Sequence, residues 1–238
     1  MIEYEFFPVL SRASIEDYEC LFKAVYGPSK KLSVEYLRWL YQANPSGDAV
    51  GIDAYLDGQL AAHYVTVPRV YKRGDRSVKC LLSVNTATHP NHQRRGLFKS
   101  TAMQTYELAS SQGFEAVFGV ANAQSIHAFT TSLGFSALGN VRLAIRGSAL
   151  LDDDRDRYCV DQTDRWMAWR LAQPAADYKL ITMGSNIFVS QKINGVRFLL
   201  GRVSEAQASA SGILMERRHS PAYVTPYFPA NKRGILIP

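Results

Sequence analysis

The dipeptide Asp57-Gly58, set between two runs rich in apolar and β-branched residues, constrains this chain more than any other feature. Both residue types tolerate a left-handed backbone, and a type I′ turn needs two such residues in succession. Ala49–Leu56 and Gln59–Val67 are therefore expected to pair as an antiparallel hairpin, which excludes an all-helical bundle.

The segments around the hairpin alternate between the two periodicities. Residues 2–8 read as a short edge strand, and Ser14-Ile15-Glu16-Asp17 has the form of a capping box. Ile15, Tyr18, Leu21, Phe22, Val25 and Tyr26 then recur at helical spacing up to a stop at Gly27-Pro28. Ser33 starts a second helix that runs to about Gln42 and ends at Asn44-Pro45-Ser46-Gly47. Lys79–Thr88 is a third strand, followed by the loop His89-Pro90-Asn91-His92 and a helix from about Leu97 to Gln112 with Gly113 beyond its end. Ala116–Val120 reads as a buried strand, and Ala123–Leu133 as a helix closed by Gly134. Residues 1–147 are thus expected to be α+β, a mixed and mostly antiparallel sheet flanked by helices.

The charged run Asp152-Asp153-Asp154-Arg155-Asp156-Arg157 marks a boundary, giving a domain at 1–150 and a smaller C-terminal α/β appendage at 151–238. In the appendage Trp166–Leu171, Pro174, Tyr178–Leu180 and Phe188–Val203 faintly echo Trp39–Tyr41, Pro45 and the hairpin, so a partial repeat and an unrelated appendage both fit. Glu216–Pro229, rich in Pro and aromatics, reads as irregular cladding. Trp39, Tyr41, Trp166 and Trp169 read as core aromatics rather than pocket lining.

Composition narrows the function classes. Apolar runs such as Cys80-Leu81-Leu82-Ser83-Val84 fall far short of the roughly 20 residues of a membrane helix, so no membrane span is expected. The start, Met1 to Pro8, lacks the basic and apolar regions of a signal peptide, and the chain reads as cytoplasmic. Cys20, Cys80 and Cys159 are too few and too scattered for a disulfide framework or a metal site. A net charge of +6 favours anionic ligands, but its basic residues come in short groups with no nucleic-acid motif between them. Field strength alone does not distinguish nucleic acid, anionic lipid and a small polyanionic ligand, and nucleic-acid binding would show as a steep salt dependence.

The turn Gln93-Arg94-Arg95-Gly96-Leu97-Phe98-Lys99 lies between a strand and a helix. Its successive N–H groups are the unsatisfied donors of a helix N-terminus. Gly96 lets the backbone approach a ligand, and Arg94, Arg95 and Lys99 add full positive charge to that of the helix dipole. Such an arrangement fits a pyrophosphate.

These residues resemble the GCN5-related N-acetyltransferase (GNAT) superfamily, whose signature is a strand, a Gln/Arg-x-x-Gly-x-Gly/Ala turn and a helix. Thr88 to Gly96 matches that approach, with Phe98 in place of the last small residue. Asn122, Ser125, Ile126, Phe129 and Leu133-Gly134-Phe135 look like a second family segment. The resemblance implies an acyltransferase that takes acetyl-coenzyme A or another acyl-coenzyme A as donor and a small-molecule amine as acceptor. It implies that the 93–99 turn holds the pyrophosphate and that the Thr88 backbone, Asn122 and Ser125 meet the pantetheine arm. It also implies that the N–H near Thr86 faces the thioester carbonyl. Asn122 equally suits a plain helix cap.

Proton transfer departs from the family pattern. Family members often carry a glutamate where this chain has Leu82 and a tyrosine where it has Phe129. His63, on the hairpin strand expected to face the acceptor, is the leading base candidate because a near-neutral imidazole suits the task, and His127 is the second. A coenzyme-A-binding module without catalysis fits the same departures.

Overall fold

The computed structural model describes residues 3–121, 125–137, 142–146, 159–160, 163–193, 196–211, 215–217 and 223–227. The chain divides into two compact units, one built on residues 1–137 with a strand at Cys159–Val160, the other on the elements at 142–146 and from 164 onward.

In the first unit, β1 (Glu5–Pro8) is followed by α1 (Ile15–Tyr26), α2 (Val34–Tyr41), β2 (Val50–Leu56), β3 (Gln59–Arg73), β4 (Arg76–Thr88), α3 (Leu97–Ser111), β5 (Ala116–Gly119) and α4 (Ser125–Ser132). Asp57 (φ 50°) and Gly58 (φ 77°) are both left-handed, as a type I′ turn requires. Ser14 and Asp17 close the capping box of α1, which ends at Gly27, and the Ser33 side chain caps α2. One departure is length. Gly74 (φ 56°) turns the chain into a second hairpin, so β3 runs to Arg73 and β4 begins at Arg76. The charged residues there sit on exposed strand ends where both faces are solvated.

The strands lie in the order β1-β2-β3-β4-β5, antiparallel except for the parallel pair β4 and β5, so the mixed, mostly antiparallel α+β sheet expected from the sequence is present. The central strand is buried without a break from Ala61 to Arg69 because helices cover both faces. On one face, Tyr18 and Phe22 of α1 and Tyr41 of α2 surround His63. On the other, Ala102 and Phe98 of α3 and Leu133 and Phe129 close over Tyr64.

Gly51 shows how tight this layer is. A Cβ there would overlap the backbone carbonyl of Tyr64 and lie 2.9 Å from Val65 Cα and 2.8 Å from Val9 Cγ2. Backbone atoms cannot rotate away, so Gly51→Ala is expected to lower stability by about 1–3 kcal/mol, read as a lower urea midpoint at constant m.

After α4, β6 (Arg142–Arg146) belongs to the second unit, where it pairs with the last strand. β7 (Cys159–Val160) pairs with the far end of β3. α5 (Asp164–Leu171), β8 (Tyr178–Met183), β9 (Asn186–Ile193), β10 (Val196–Val203), α6 (Glu205–Ala210), β11 (Met215–Arg217) and β12 (Tyr223–Tyr227) complete the unit, with strand order β11-β8-β9-β10-β12-β6. Met167, Leu171, Leu180, Ile187 and Val189 form its core. The segment expected to be irregular therefore contributes two strands. Pro226 is tolerated in β12, where it lies opposite Leu143 of β6 while Val224 meets β10.

Candidate active site

The parallel ladder between β4 and β5 opens partway along. It runs from Cys80 opposite Ala116 to Ser83 opposite Gly119, where β5 ends, while β4 continues to Thr88. At the opening β4 bulges. His63 pairs with Ala87 and Val65 with Val84, so Asn85 and Thr86 together face the single residue Tyr64. Asn85 takes a left-handed backbone (φ 46°).

The bulge decides which way the peptide groups beyond it point. His89 N–H donates to Ala61 O across β3, so by strand alternation the groups at Thr86 and Thr88 face away from β3, toward the open side. Two contacts agree with this. The Tyr26 hydroxyl donates to Thr86 O, and Gln93 Nε2 donates to Thr88 O at 3.4 Å. The peptide groups of Thr86 and Thr88 thus lie on the edge of β4 that β5 leaves open.

At the end of that edge lies the basic turn. Arg94 (φ 61°) and Gly96 (φ 77°) are both left-handed, and Gln93, Arg94, Arg95, Gly96 and Lys99 are exposed. Leu97 and Phe98 offer only their backbone, because the Leu97 side chain packs on Ala54, Ala61 and Ala62, and Phe98 stacks edgewise on Tyr64 and Phe129. Gly96 caps α3 without any side-chain hydrogen bond, and the first turn holds no acid. By contrast, α1, α2, α5 and α6 each have a side-chain cap and an acidic residue in the first turn. Among the helices whose caps are described, α3 alone keeps its N-terminal donors open, and it does so beside two arginines and a lysine. Arg95 Nη1 donates to Tyr4 Oη, which also bonds His92 Nδ1 at 3.0 Å. Partial burial, then the charges of Arg95 and His89, hold the His92 imidazole below its usual range, which marks the turn as electropositive. These features fit a pyrophosphate.

His63 does not face the opening. It is fully buried, with Nδ1 2.6 Å from Asp53 Oδ1 and Nε2 3.2 Å from Tyr41 Oη. Both ring nitrogens are engaged, so the direct contact with an acceptor amine expected from the sequence has no path. The alternation along β3 places His63 on the face that α1 and α2 cover. His127 lies exposed on α4, and Ser125 starts that helix half-buried. Asn122 lies outside the described residues. Leu82 sits between Val67 and Phe118, and Phe129 packs edgewise on Phe135, so neither position carries a proton.

Tyr26, Tyr41, Asp53 and Asn85 come to the site or its support without having been singled out for it. Tyr26 and Tyr41 had a signal only as apolar-face residues of helices. Asn85 had none, since a bulge leaves no mark in composition.

Residues 9–137 match a family model described as an acetyltransferase (GNAT) domain. No curated protein sequence matches the chain. Among solved structures, a conserved protein of unknown function from Enterococcus faecalis V583, described as a probable N-acyltransferase, superposes with a TM-score of 0.65 at 8% identity, over 94% of this chain and 66% of that one. The chain thus spans just under two thirds of that protein's length. An aminoglycoside 6′-N-acetyltransferase from Acinetobacter baumannii matches with a TM-score of 0.47 at 20% identity, over 59% of this chain and 95% of that one. A GNAT family acetyltransferase from Brucella melitensis in complex with acetyl-coenzyme A gives 0.46 at 14% identity, over 58% and 85%. The family model covers more than half of the chain, on the same strand, turn and helix that build the opening described above, and the chain belongs to the GNAT acetyltransferase family.

Proposed function

We propose that the chain is an N-acyltransferase that moves an acetyl or other short acyl group from coenzyme A to a primary amine of a small molecule. The observation that carries this reading is the uncapped, acid-free N-terminus of α3 at the end of an open strand edge. Successive N–H groups from Arg94 to Lys99, with the side chains of Gln93, Arg94, Arg95 and Lys99 around them, hold the pyrophosphate. Thr88 pairs with the pantetheine arm along the edge of β4, and Asn122 and Ser125 are the further contacts to that arm that the family resemblance implies. The Thr86 N–H stabilises the oxyanion that develops at the acyl carbonyl, an interaction whose loss typically costs a factor of about 10²–10³ in rate. Bound acyl-coenzyme A supplies the thioester carbon that the amine attacks. Holding the two reactants in line supplies much of the remaining acceleration. An amino sugar or nucleotide-linked amino sugar is the first acceptor to test, on the likeness of the Trp39–Pro45 region and the tail to bacterial acyltransferases of that kind. A cytoplasmic setting belongs to the same reading, in keeping with Cys20 and Cys80 as free thiols. Among the described residues no helix is long and apolar enough to cross a membrane.

The appendage at 151–238 is part of the proposal as a partial second half. The order α5-β8-β9-β10-α6 repeats α2-β2-β3-β4-α3. Leu200 is an extra residue in β10, as the bulge residue is in β4, and both strands have a parallel neighbour. The likeness stops at the ligand site. Ser204 and Gln207 cap α6 with a capping box and Glu205 lies in its first turn, so its N-terminus is already satisfied and repels an anion.

Leu82 and Phe129 favour one alternative, a coenzyme-A-binding module without catalysis. Release of free thiol from acetyl-coenzyme A in the presence of a panel of amines separates the two. Amine-dependent release at a rate well above hydrolysis is the expected result. Tight binding with no transfer to any amine would leave the module reading in place. Affinity for generic DNA that falls steeply with salt would instead favour nucleic acid.

A further inference from the structure

Behind the bulge of β4 lies a continuous polar chain through the core. Tyr18 Oη donates to Asp53 Oδ2 at 2.7 Å and itself accepts from the Leu10 N–H at 2.8 Å. Asp53 Oδ1 lies 2.6 Å from His63 Nδ1, His63 Nε2 lies 3.2 Å from Tyr41 Oη, and Asn85 Nδ2 donates to that same phenol oxygen at 3.2 Å. Tyr18, Tyr41, Asp53 and His63 are fully buried.

The directions of these bonds follow from the ends of the chain. An amide nitrogen only donates, so Tyr41 Oη accepts from Asn85 and its own hydrogen goes to His63 Nε2. The imidazole hydrogen then sits on Nδ1 and goes to Asp53, whose second oxygen accepts from Tyr18. Every group in the chain is satisfied in one orientation, which is the condition under which a buried polar network rigidifies rather than weakens a core. The far end of the network is the one left-handed, non-glycine residue of the bulge, Asn85 (φ 46°). Asparagine tolerates that conformation but is not held in it by its backbone alone.

We propose that Asp53, His63 and Tyr41 are positioning residues, a buried brace that acts through the Asn85 side chain to fix the bulge of β4 and so aim the Thr86 N–H at the acyl carbonyl. This assignment rests on the acyltransferase reading for its effect on rate. It gives His63 a role that its burial permits. The brace binds neither coenzyme A nor the acceptor, so it acts on the chemical step and not on cofactor affinity.

Tyr41→Phe tests this with the least disturbance, because it removes one oxygen and keeps the ring. The expected result is a fall in kcat of at least about tenfold, a fraction of what losing an oxyanion donor outright would cost. The affinity for acetyl-coenzyme A, measured by calorimetry, should stay within about twofold of wild type on the same grounds. Asn85→Gly accepts the left-handed backbone and removes the amide, and should give a loss of similar size. The double variant should lose no more than the worse single one, because both cut the same path. Backbone amide relaxation should show Asn85 and Thr86 more mobile in Tyr41→Phe, while the N-terminus of α3 is unchanged. Unaltered kcat in Tyr41→Phe, or losses that multiply in the double variant, would overturn the brace. Were the wild-type protein to transfer no acyl group to any amine, the acyltransferase reading would fail by itself. Amide relaxation would then still decide the brace, since unchanged mobility at Asn85 and Thr86 refutes it without reference to activity.

Discussion

Gly96→Asp is expected to weaken acetyl-coenzyme A binding by at least about 100-fold while the protein stays folded. A Cβ at Gly96 meets no atom within 4 Å, so nothing in the protein opposes the side chain. The backbone is left-handed there (φ 77°), which aspartate tolerates at modest cost. The new carboxylate sits beside the N–H groups of the first turn of α3, where the helix dipole favours a negative charge. Those are the donors assigned to the pyrophosphate. The ligand therefore loses its hydrogen bonds and gains a like charge, and two unit charges about 4 Å apart near a protein surface repel by about 4 kcal/mol before screening. Gly96→Asn separates these causes. It adds a side chain of the same shape without charge, so its loss should be smaller, on the order of tenfold. Calorimetry with acetyl-coenzyme A reads both variants. Undiminished affinity in Gly96→Asp would place the pyrophosphate elsewhere.

Asp53→Ala is expected to be among the most destabilising single substitutions in the first unit, by about 2–6 kcal/mol in urea denaturation, since two buried donors lose their acceptor. The carboxylate is fully buried and accepts from two other fully buried groups, His63 Nδ1 and Tyr18 Oη. Removing it strands both donors in a space that the ring of Tyr18 closes, 4.4 Å from that of His63. Asp53→Asn should cost clearly less. Its oxygen still accepts from His63, and its amide can donate to the Tyr18 oxygen. Equal losses in the two variants would mean that the network matters to stability only through charge. A loss under about 1 kcal/mol in Asp53→Ala would mean that water replaces the carboxylate, contrary to the packing.

The pairing of Asp53 with His63 shows why part of the site was hidden. Counting outward from a two-residue turn at Asp57-Gly58 pairs Leu56 with Gln59, Tyr55 with Leu60 and Ala54 with Ala61. The structure keeps the first two pairs and then inserts Ala61 as an extra residue, so Ala54 meets Ala62 and Asp53 meets His63. A bulge of one residue moves a side chain to the other face of a sheet, and nothing in the local composition announces it. The second bulge, at Asn85 and Thr86, is equally silent, although it is what turns the Thr86 peptide toward the opening.

Features that depend on near neighbours are legible in the amino-acid order alone. The type I′ turn at Asp57-Gly58, the capping box at Ser14, the stops at Gly27 and Gly113 and the basic turn from Gln93 to Lys99 all follow from backbone preferences within a few residues. For the same reason the fold class was readable from alternating periods, and the candidate cofactor turn from one glycine among three cations. Tertiary structure alone decided which face of β3 is covered. His63 and Tyr64 alternate along the strand as they would in any sheet, but α1 and α2 bury the first and α3 buries the second, so neither reaches solvent. The registers, the bulges and the pairing of β6 with β12 rather than with the first sheet are likewise settled by contacts between residues distant in sequence. Their free energies arise only once whole elements have packed.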